Sequence, residues 1–500
     1  MNILLINVPS RRGPGGLMLP LGLLYAASII ERAGHRAKIL DPHIDDLELT
    51  VMDSGDFSGI FKAIDDFKPS VIGYGGIATS FGRTKKISLA VKERFNSIIQ
   101  IAGGPLASVS GLLLNKTAIG VVFHGETEAS LPVFLDKIAY GKLLEGVPGI
   151  SYRNGDKVLK NQDAEQVAYL DTIPFPAYHL VDLKRYFDST TDLFKAYSGM
   201  IAENPLYAEI KERVGEGRSY VSIVTARGCT HRCSFCYRHM RGIRQHSTDY
   251  VIRHMKYLKD MYGVDGFLIA DELFNSKPEW VREFCDALER EKLEVFYTIA
   301  GARVDRVNAS LLRRLKETGC IKIEYGQESG SDRILSEYRK GITRRQNKEV
   351  TLLTTRDIGL FSVVQIVIGS PSETHATILE TIEFLKEIGA HYYSLNYLMP
   401  LPGTPVWGRV EDSGLIKDVE KYLDMVAEYG GQPIVNLTSA HDNEWRRWAD
   451  LIRKETRLDH YSRRNSKYYP LYALIQNVRS AIAPYLPMGV KRMLSKLVRT

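Results

Sequence analysis

The chain has 500 residues, 44% hydrophobic and 25% charged, the balance of a globular protein with room for two or three domains. No run approaches the ~20 apolar residues of a membrane span, the amino terminus lacks a signal peptide's basic lead and cleavage site, and five cysteines with three clustered make no disulfide framework, so a reducing cytoplasm is expected. The net charge of +7 comes from the end of the chain: residues 451–500 hold eleven Lys or Arg against two acids, leaving the first 450 at net −2.

Residues 1–150 alternate short branched-apolar runs with amphipathic stretches. Strands are expected at Asn2–Val8, Arg36–Leu40, Ser70–Gly75, Ile99–Ala102 and Gly120–Phe123, and helices at Leu21–Ala33, Phe57–Phe67, Arg83–Phe95, Ser108–Asn115 and Glu128–Ile138. Such alternation predicts an α/β fold with a doubly wound parallel sheet, whose ligands collect at the carboxyl ends of the strands. Glycine-bearing turns fall at those ends, at 73–76, 103–105 and 125–128. No G-x-G-x-x-G opens the first helix, so a dinucleotide fingerprint is missing.

This segment resembles the cobalamin-binding domain attached to many radical S-adenosylmethionine (SAM) enzymes. The likeness rests on Pro20-Leu21-Gly22-Leu23-Leu24-Tyr25 with Gly34-His35, on Ile39-Leu40-Asp41, on Ala102-Gly103-Gly104-Pro105 and on His124-Gly125-Glu126-Thr127-Glu128. It implies cobalamin contacts from Gly75, Thr79, Gly103, Gly104, Pro105, Gly125 and Glu126. Methionine synthase-like domains place a cobalt-ligating histidine after the first strand. Here the loop at 9–16 has none, and His43 reads as a turn residue, so no histidine is expected beneath the cobalt. The plainer alternative is a cobalamin-type fold without its cofactor.

Residues 151–217 read as a connector, with Pro174-Phe175-Pro176 forcing extended backbone. A strand at Tyr220–Thr225 then leads into Cys229, Cys233 and Cys236, spaced C-x3-C-x2-C. Three thiolates on one short loop suit three irons of a cubane cluster and leave the fourth iron open. The other reading is a zinc site completed by His231 or His239. The loop resembles the cluster signature of radical SAM enzymes, in which SAM chelates the open iron and is reductively cleaved to a 5′-deoxyadenosyl radical. The resemblance implies a 4Fe-4S cluster on Cys229, Cys233 and Cys236, with Phe235 beside it and Arg227 offsetting part of its negative charge.

Further strands are expected at Gly266–Ala270, Val295–Ala300, Ile321–Gly326, Phe361–Ile368 and His391–Tyr397, six in all with the cysteine-bearing one. They make a partial (β/α)6 barrel with its site at the strand carboxyl ends. By the same resemblance Asp271 or Glu272 accepts from the SAM ammonium, unless the pair caps the next helix. Gly326 and Glu328, in Tyr325-Gly326-Gln327-Glu328-Ser329-Gly330, bind the ribose, whose vicinal hydroxyls suit a carboxylate. Arg303 either binds the SAM carboxylate or pairs with Asp305.

The chain thus divides into a cobalamin-binding-like domain (1–150), a connector (151–217), a radical SAM core (218–416) and a helical basic tail (417–500). The tail mixes apolar with basic residues at helical spacing, which suits a peripheral membrane contact or packing on the barrel. Nucleic acid is not expected as a partner. The family likeness implies methylation of an unactivated carbon of a small-molecule or lipid-like substrate, with electrons from a donor such as flavodoxin or ferredoxin. The rival is radical oxidation, cyclisation or carbon–carbon coupling. A zinc-dependent binding module is the non-enzyme alternative.

Overall fold

A computed structural model of the chain describes residues 1–9, 19–42, 44, 55–189, 191, 205–389, 392–429 and 433–463. The loop from 10 to 16, His43 and the basic tail from 464 onward lie outside the described residues. Contacts divide the chain into two compact units, and neither is one stretch of sequence. The first joins Met1–Asp188, Val221–Ser276 and Met399–Ile434; the second joins Ser189–Tyr220, Lys277–Leu398 and Val435–Thr500.

In the first unit, β1 (Asn2–Asn7), β2 (Arg36–Leu40), β3 (Val71–Gly75), β4 (Ile99–Gly103), β5 (Val121–Phe123), β6 (Ile150–Asn154) and β7 (Lys157–Lys160) form one sheet ordered β2-β1-β3-β4-β5-β6-β7. The first five run parallel, and β6 and β7 are antiparallel additions at the edge. Ile3, Leu4, Leu5 and Ile6 are all buried, as a strand covered on both faces requires. The helix Leu21–Arg32 turns Leu24, Tyr25, Ala27, Ile29 and Ile30 inward.

The Pro174-Phe175-Pro176 connector is anchored. Phe175 stacks on His254 with centroids 4.7 Å apart, and the Tyr178 hydroxyl lies 2.9 Å from His254 Nε2. Burial pushes the His254 pKa down to about 3, so this imidazole stays neutral inside its ring of aromatics. His254 lies on the helix Thr248–Tyr262, capped by the Ser247 side chain and closed by Gly263 in a left-handed conformation.

The second sheet carries the barrel strands: β8 (Asp188–Ser189), β9 (Ser219–Ile223), β12 (Gly266–Ile269), β13 (Phe296–Ala302), β14 (Cys320–Glu328), β15 (Phe361–Ile368) and β16 (Tyr393–Tyr397). Its order is β16-β15-β14-β13-β12-β9-β8, and the six longer strands make a parallel half-barrel. A separate hairpin pairs β10 (Ala226–Cys229) with β11 (Gly242–Gln245).

Within the second unit, Val364, Ile366 and Ile368 pack outward against Ile378, Ile382 and Leu385, in one cluster with Trp445, Trp448 and Ile452. On β14 the residues Tyr325 and Gln327 bond to Thr354 and Thr351 of the flanking helical turn, so their neighbours Glu324, Gly326 and Glu328 face the other way. Capping boxes at Thr343 and Thr374 start the two helices that flank β15. The chain ends its described course in helices, Asp442–Trp445 and Trp448–Arg463. Among the described residues no helix is long and apolar enough to cross a membrane.

Candidate active site

The three clustered cysteines run from the end of β10 into the loop that leads to β11. Cys229 closes β10 opposite Gly242, Cys233 is buried and Cys236 is exposed. Gly228, at φ +85°, admits no side chain: a Cβ there would lie 2.4 Å from the Gly242 carbonyl oxygen. The loop is braced locally. The Cys236 N–H donates to the Cys233 carbonyl at 3.3 Å, and the Val406 N–H donates to the Ser234 carbonyl at 2.9 Å. The His231 N–H donates to Cys229 Sγ at 3.5 Å, a bond that stabilises thiolate sulfur and tunes a cluster's potential. None of the five cysteines forms a disulfide.

Among the described residues no three His, Cys, Asp or Glu side chains converge as a single metal ion requires. His239 instead turns to the Gly125 backbone, and burial lowers its pKa.

Beside this loop the first unit holds a cavity of about 450 Å³. Its wall includes Gly75, Gly103, Gly104, Pro105, Gly125 and Glu126, six of the seven positions expected to meet cobalamin. Thr79, the seventh, is buried in the turn after β3 and is not part of the wall. Apolar side chains such as Leu23, Tyr74, Ile77 and Phe123 supply most of the rest. At Gly22, Gly104 and Gly125 a Cβ would meet nothing within 4 Å, so the glycines leave space that side chains would fill. Arg227, Gly228, His239 and Met240 of the cysteine hairpin and loop line the same cavity, with Ala270 and Glu272.

Asp271 and Glu272 part company. Asp271 is buried: its Oδ1 accepts from Thr225 N at 2.6 Å and Ala226 N at 3.1 Å, and its Oδ2 from the Thr225 hydroxyl. Burial raises its pKa to about 6 against those bonds. It thus holds the turn into β10, while exposed Glu272 is the carboxylate on the cavity wall.

Arg227 is not left to offset a cluster's charge. Its Nη1 stands 2.9 Å from Glu126 Oε1 and 2.7 Å from Glu128 Oε1. Burial pushes the Glu126 pKa up, but bonds from Arg244, Arg227 and the Val167 N–H outweigh it and hold the carboxyl below its ordinary value. Arg244 escaped the sequence reading, and Glu128, two residues beyond Glu126 in the same quoted motif, was given no site role there.

The remaining expected positions lie in the second unit. Glu328 is buried at φ +65° and accepts from Lys340 Nζ at 2.8 Å. Both head groups hang over Gly326, where a Cβ would lie 2.7 Å from Glu328 Oε1 and 2.8 Å from Lys340 Nζ. Arg303 is buried and grips Asp305 with two bonds, at 2.8 and 3.0 Å. The ion pair weighed from the sequence is present, joining a buried Arg303 to an exposed Asp305. Lys340 was missed, for nothing in its surroundings in sequence marks a lysine as buried.

Residues 12–135 match the B12 binding domain and residues 223–385 match the Radical SAM superfamily. The chain belongs to the cobalamin-binding radical SAM enzymes. An uncharacterized methyltransferase of Pyrococcus horikoshii is 28% identical over 81% of this chain and 82% of its own. The cytidylyl-2-hydroxyethylphosphonate methyltransferase of Streptomyces wedmorensis is 25% identical over 90% of this chain and 88% of its own. The structure of OxsB, a cobalamin-dependent SAM radical enzyme with aqua-cobalamin bound, superposes with a TM-score of 0.66 over 92% of this chain and 72% of that one; at 16% identity it shows a shared fold.

The cofactors of this cobalamin-binding radical SAM enzyme are a 4Fe-4S cluster, SAM and cobalamin. The residues present fit them. An apolar, glycine-lined cradle suits a large macrocycle, and three free thiols within eight residues suit a cubane, whose irons take thiolate ligands.

Proposed function

We propose that the enzyme methylates an unactivated carbon of a small-molecule or lipid-like substrate, in the cytoplasm, with electrons from a flavodoxin- or ferredoxin-type donor. One observation carries the reading: the cavity between the glycine turns of the first sheet is also lined by Arg227, Gly228 and Glu272 beside the cysteine loop. A methyl donor and a radical source would then open on a common space. Two relatives that match most of this chain bear methyltransferase in their names.

In this reading Cys229, Cys233 and Cys236 hold the cluster, with Phe235 beside it, and Glu272 accepts from the SAM ammonium. Glu328 takes the ribose hydroxyls, held in place by Lys340 at 2.8 Å, with Gly326 giving the backbone room. Arg303, held by Asp305 at 2.8 and 3.0 Å, is the residue assigned to the SAM carboxylate. When bound there, the cluster with SAM supplies a radical able to take hydrogen from carbon, and cobalamin supplies the methyl group. Leu23, Tyr74, Ile77 and Phe123 keep water from that chemistry.

The test needs no substrate. The anaerobically reconstituted enzyme, loaded with hydroxocobalamin and strongly reduced, should convert SAM to both S-adenosylhomocysteine and 5′-deoxyadenosine. The first product reports methyl removal, the second radical formation. If only 5′-deoxyadenosine appears, methylation gives way to radical oxidation, cyclisation or coupling.

A further inference from the structure

Four charged side chains tie the cobalamin-pocket wall to the cysteine hairpin inside the first unit. Arg227 Nη1 pairs with Glu126 Oε1 and Glu128 Oε1, at 2.9 and 2.7 Å. Arg244 Nη1 pairs with Glu126 Oε2 and donates to the Val167 carbonyl, both at 2.7 Å. The Val167 N–H donates to Glu126 Oε2 at 2.8 Å, so each oxygen of Glu126 is held. The Glu126 side chain is 1% exposed, those of Glu128 and Arg227 8% and 10%, and that of Arg244 15%. Arg227 also lies 5.0 Å from the centre of the Tyr25 ring.

The placement of these groups is specific. Arg227 and Arg244 are direct partners in the β10–β11 register, so both guanidinium groups leave one rung of the hairpin. Two residues past Arg227 the strand delivers Cys229. Glu126 and Glu128 belong to the turn after β5 that forms one wall of the cavity. Two cations face two carboxylates, so the group is neutral as a whole. A buried ionic group of this kind gains little stability over an apolar one, and its best-attested use is to fix a register.

We infer that Arg227 and Arg244 are positioning residues that lock the 125–128 wall of the cobalamin pocket to the strand carrying the first cluster cysteine, so that filling the pocket and building the cluster favour each other. The inference rests on the proposed reading that Cys229, Cys233 and Cys236 hold the cluster. The linkage must be reciprocal: whatever factor the cluster adds to cobalamin affinity, cobalamin adds to cluster stability.

The experiment titrates hydroxocobalamin into the full chain under anaerobic conditions, followed by absorbance, with the cluster reconstituted and in a chain carrying C229A, C233A and C236A. Iron and sulfide are measured in each sample. In the otherwise unaltered chain the cluster-loaded form should bind cobalamin about tenfold more tightly than the cluster-free form, a usual size for linked sites. Arg227→Met should abolish that difference, and Arg227→Lys should restore part of it. A merely structural role would weaken both forms alike and leave the ratio intact. Equal affinity in the two unaltered forms, or an undiminished ratio in R227M, overturns the inference. Should R227M fail to fold by circular dichroism, Glu128→Gln, which spares the Arg227–Glu126 pair, should shrink the ratio, and an unchanged ratio there is equally fatal. Cobalamin ignored by every form would instead sink the pocket assignment, and iron and sulfide retained by the triple variant would sink the cluster assignment.

Discussion

Replacing Asp271 and Glu272 one at a time separates scaffold from site. Asp271→Ala strips the acceptor from Thr225 N and Ala226 N, both buried at the turn into β10. Two orphaned donors at about 1–3 kcal/mol each give a loss of about 2–6 kcal/mol, a large part of a typical stability of about 5–15 kcal/mol. Asp271→Asn keeps one oxygen for both N–H groups, and the Thr225 hydroxyl can turn to accept from the new amide. The asparagine also removes a buried charge. In the native state the Asp271 pKa stands at about 6 against an ordinary 3.8, because burial disfavours the carboxylate. Between those values the native protein holds a proton that the unfolded chain releases, so stability falls as pH rises through that window. At about 1.4 kcal/mol for each pH unit the whole step is worth about 3 kcal/mol. Denaturant melts of the unmodified chain at pH 5 and pH 7.5 should show the upper part of this loss, about 1 kcal/mol, and D271N should lack it. SAM binding should divide the pair the other way. D271N should bind SAM like the unmodified chain, whereas Glu272→Gln, which loses a charge-assisted bond of about 1.5–3 kcal/mol, should bind about ten- to a hundredfold more weakly. A folded D271N that has lost SAM, or an E272Q that binds it normally, refutes the assignment.

Other outcomes follow from single contacts. Gly228→Ala places a methyl 2.4 Å from the Gly242 oxygen, so the hairpin should open and reconstituted protein should hold little iron by chemical assay. Gly104→Leu adds a side chain at φ +67°, costing about 1–2 kcal/mol of backbone strain, and fills the cavity; cobalamin uptake should drop while iron content stays normal. Lys340→Met leaves the Glu328 carboxylate buried without its cation, a loss of about 3–5 kcal/mol in a denaturant melt together with weaker SAM binding, and Lys340→Arg should recover part of both. Substituting any one of Cys229, Cys233 and Cys236 by alanine should remove the reduced-cluster signal from electron paramagnetic resonance spectra.

The parallel strands were readable because burial on both faces writes them as unbroken apolar runs, as in Ile3-Leu4-Leu5-Ile6. The antiparallel pair β6–β7 was read as connector, because Arg153 and Asn154 are exposed and every residue of β7 faces solvent. Its local sign was Gly155-Asp156, the two-residue loop between paired Asn154 and Lys157, with Gly155 at positive φ. The β10–β11 hairpin wrote no such pattern. Ala226-Arg227-Gly228-Cys229 has no apolar alternation, and the strand is kept by the fit of Gly228 against Gly242 and by ion pairs to residues about a hundred positions away. Grouping by contact also departs from chain order, since Val221–Ser276 and Met399–Ile434 both join the amino-terminal sheet.

The choice between the two adjacent acids was open to a closer reading. Successive residues of a strand point to opposite faces, and β12 continues that alternation past its end. Phe267, Ile269 and Asp271 are buried, whereas Ala270 and Glu272 reach the cavity. A residue two beyond a core isoleucine is therefore aimed at the core, and an acid placed there must find donors within the protein. The backbone N–H groups of Thr225 and Ala226 meet that need where the chain leaves β9 for the cysteine hairpin. What parity does not supply is the partner of a buried charge. Whether Glu126 would be bound by Arg227 or left for a ligand depends on a turn and a strand 101 residues apart in sequence, a separation that no local pattern spans. The fold could thus be read from periodicity, and the ligand class from the cysteines and glycines, but the ion pairs that seat one loop against the other only from coordinates.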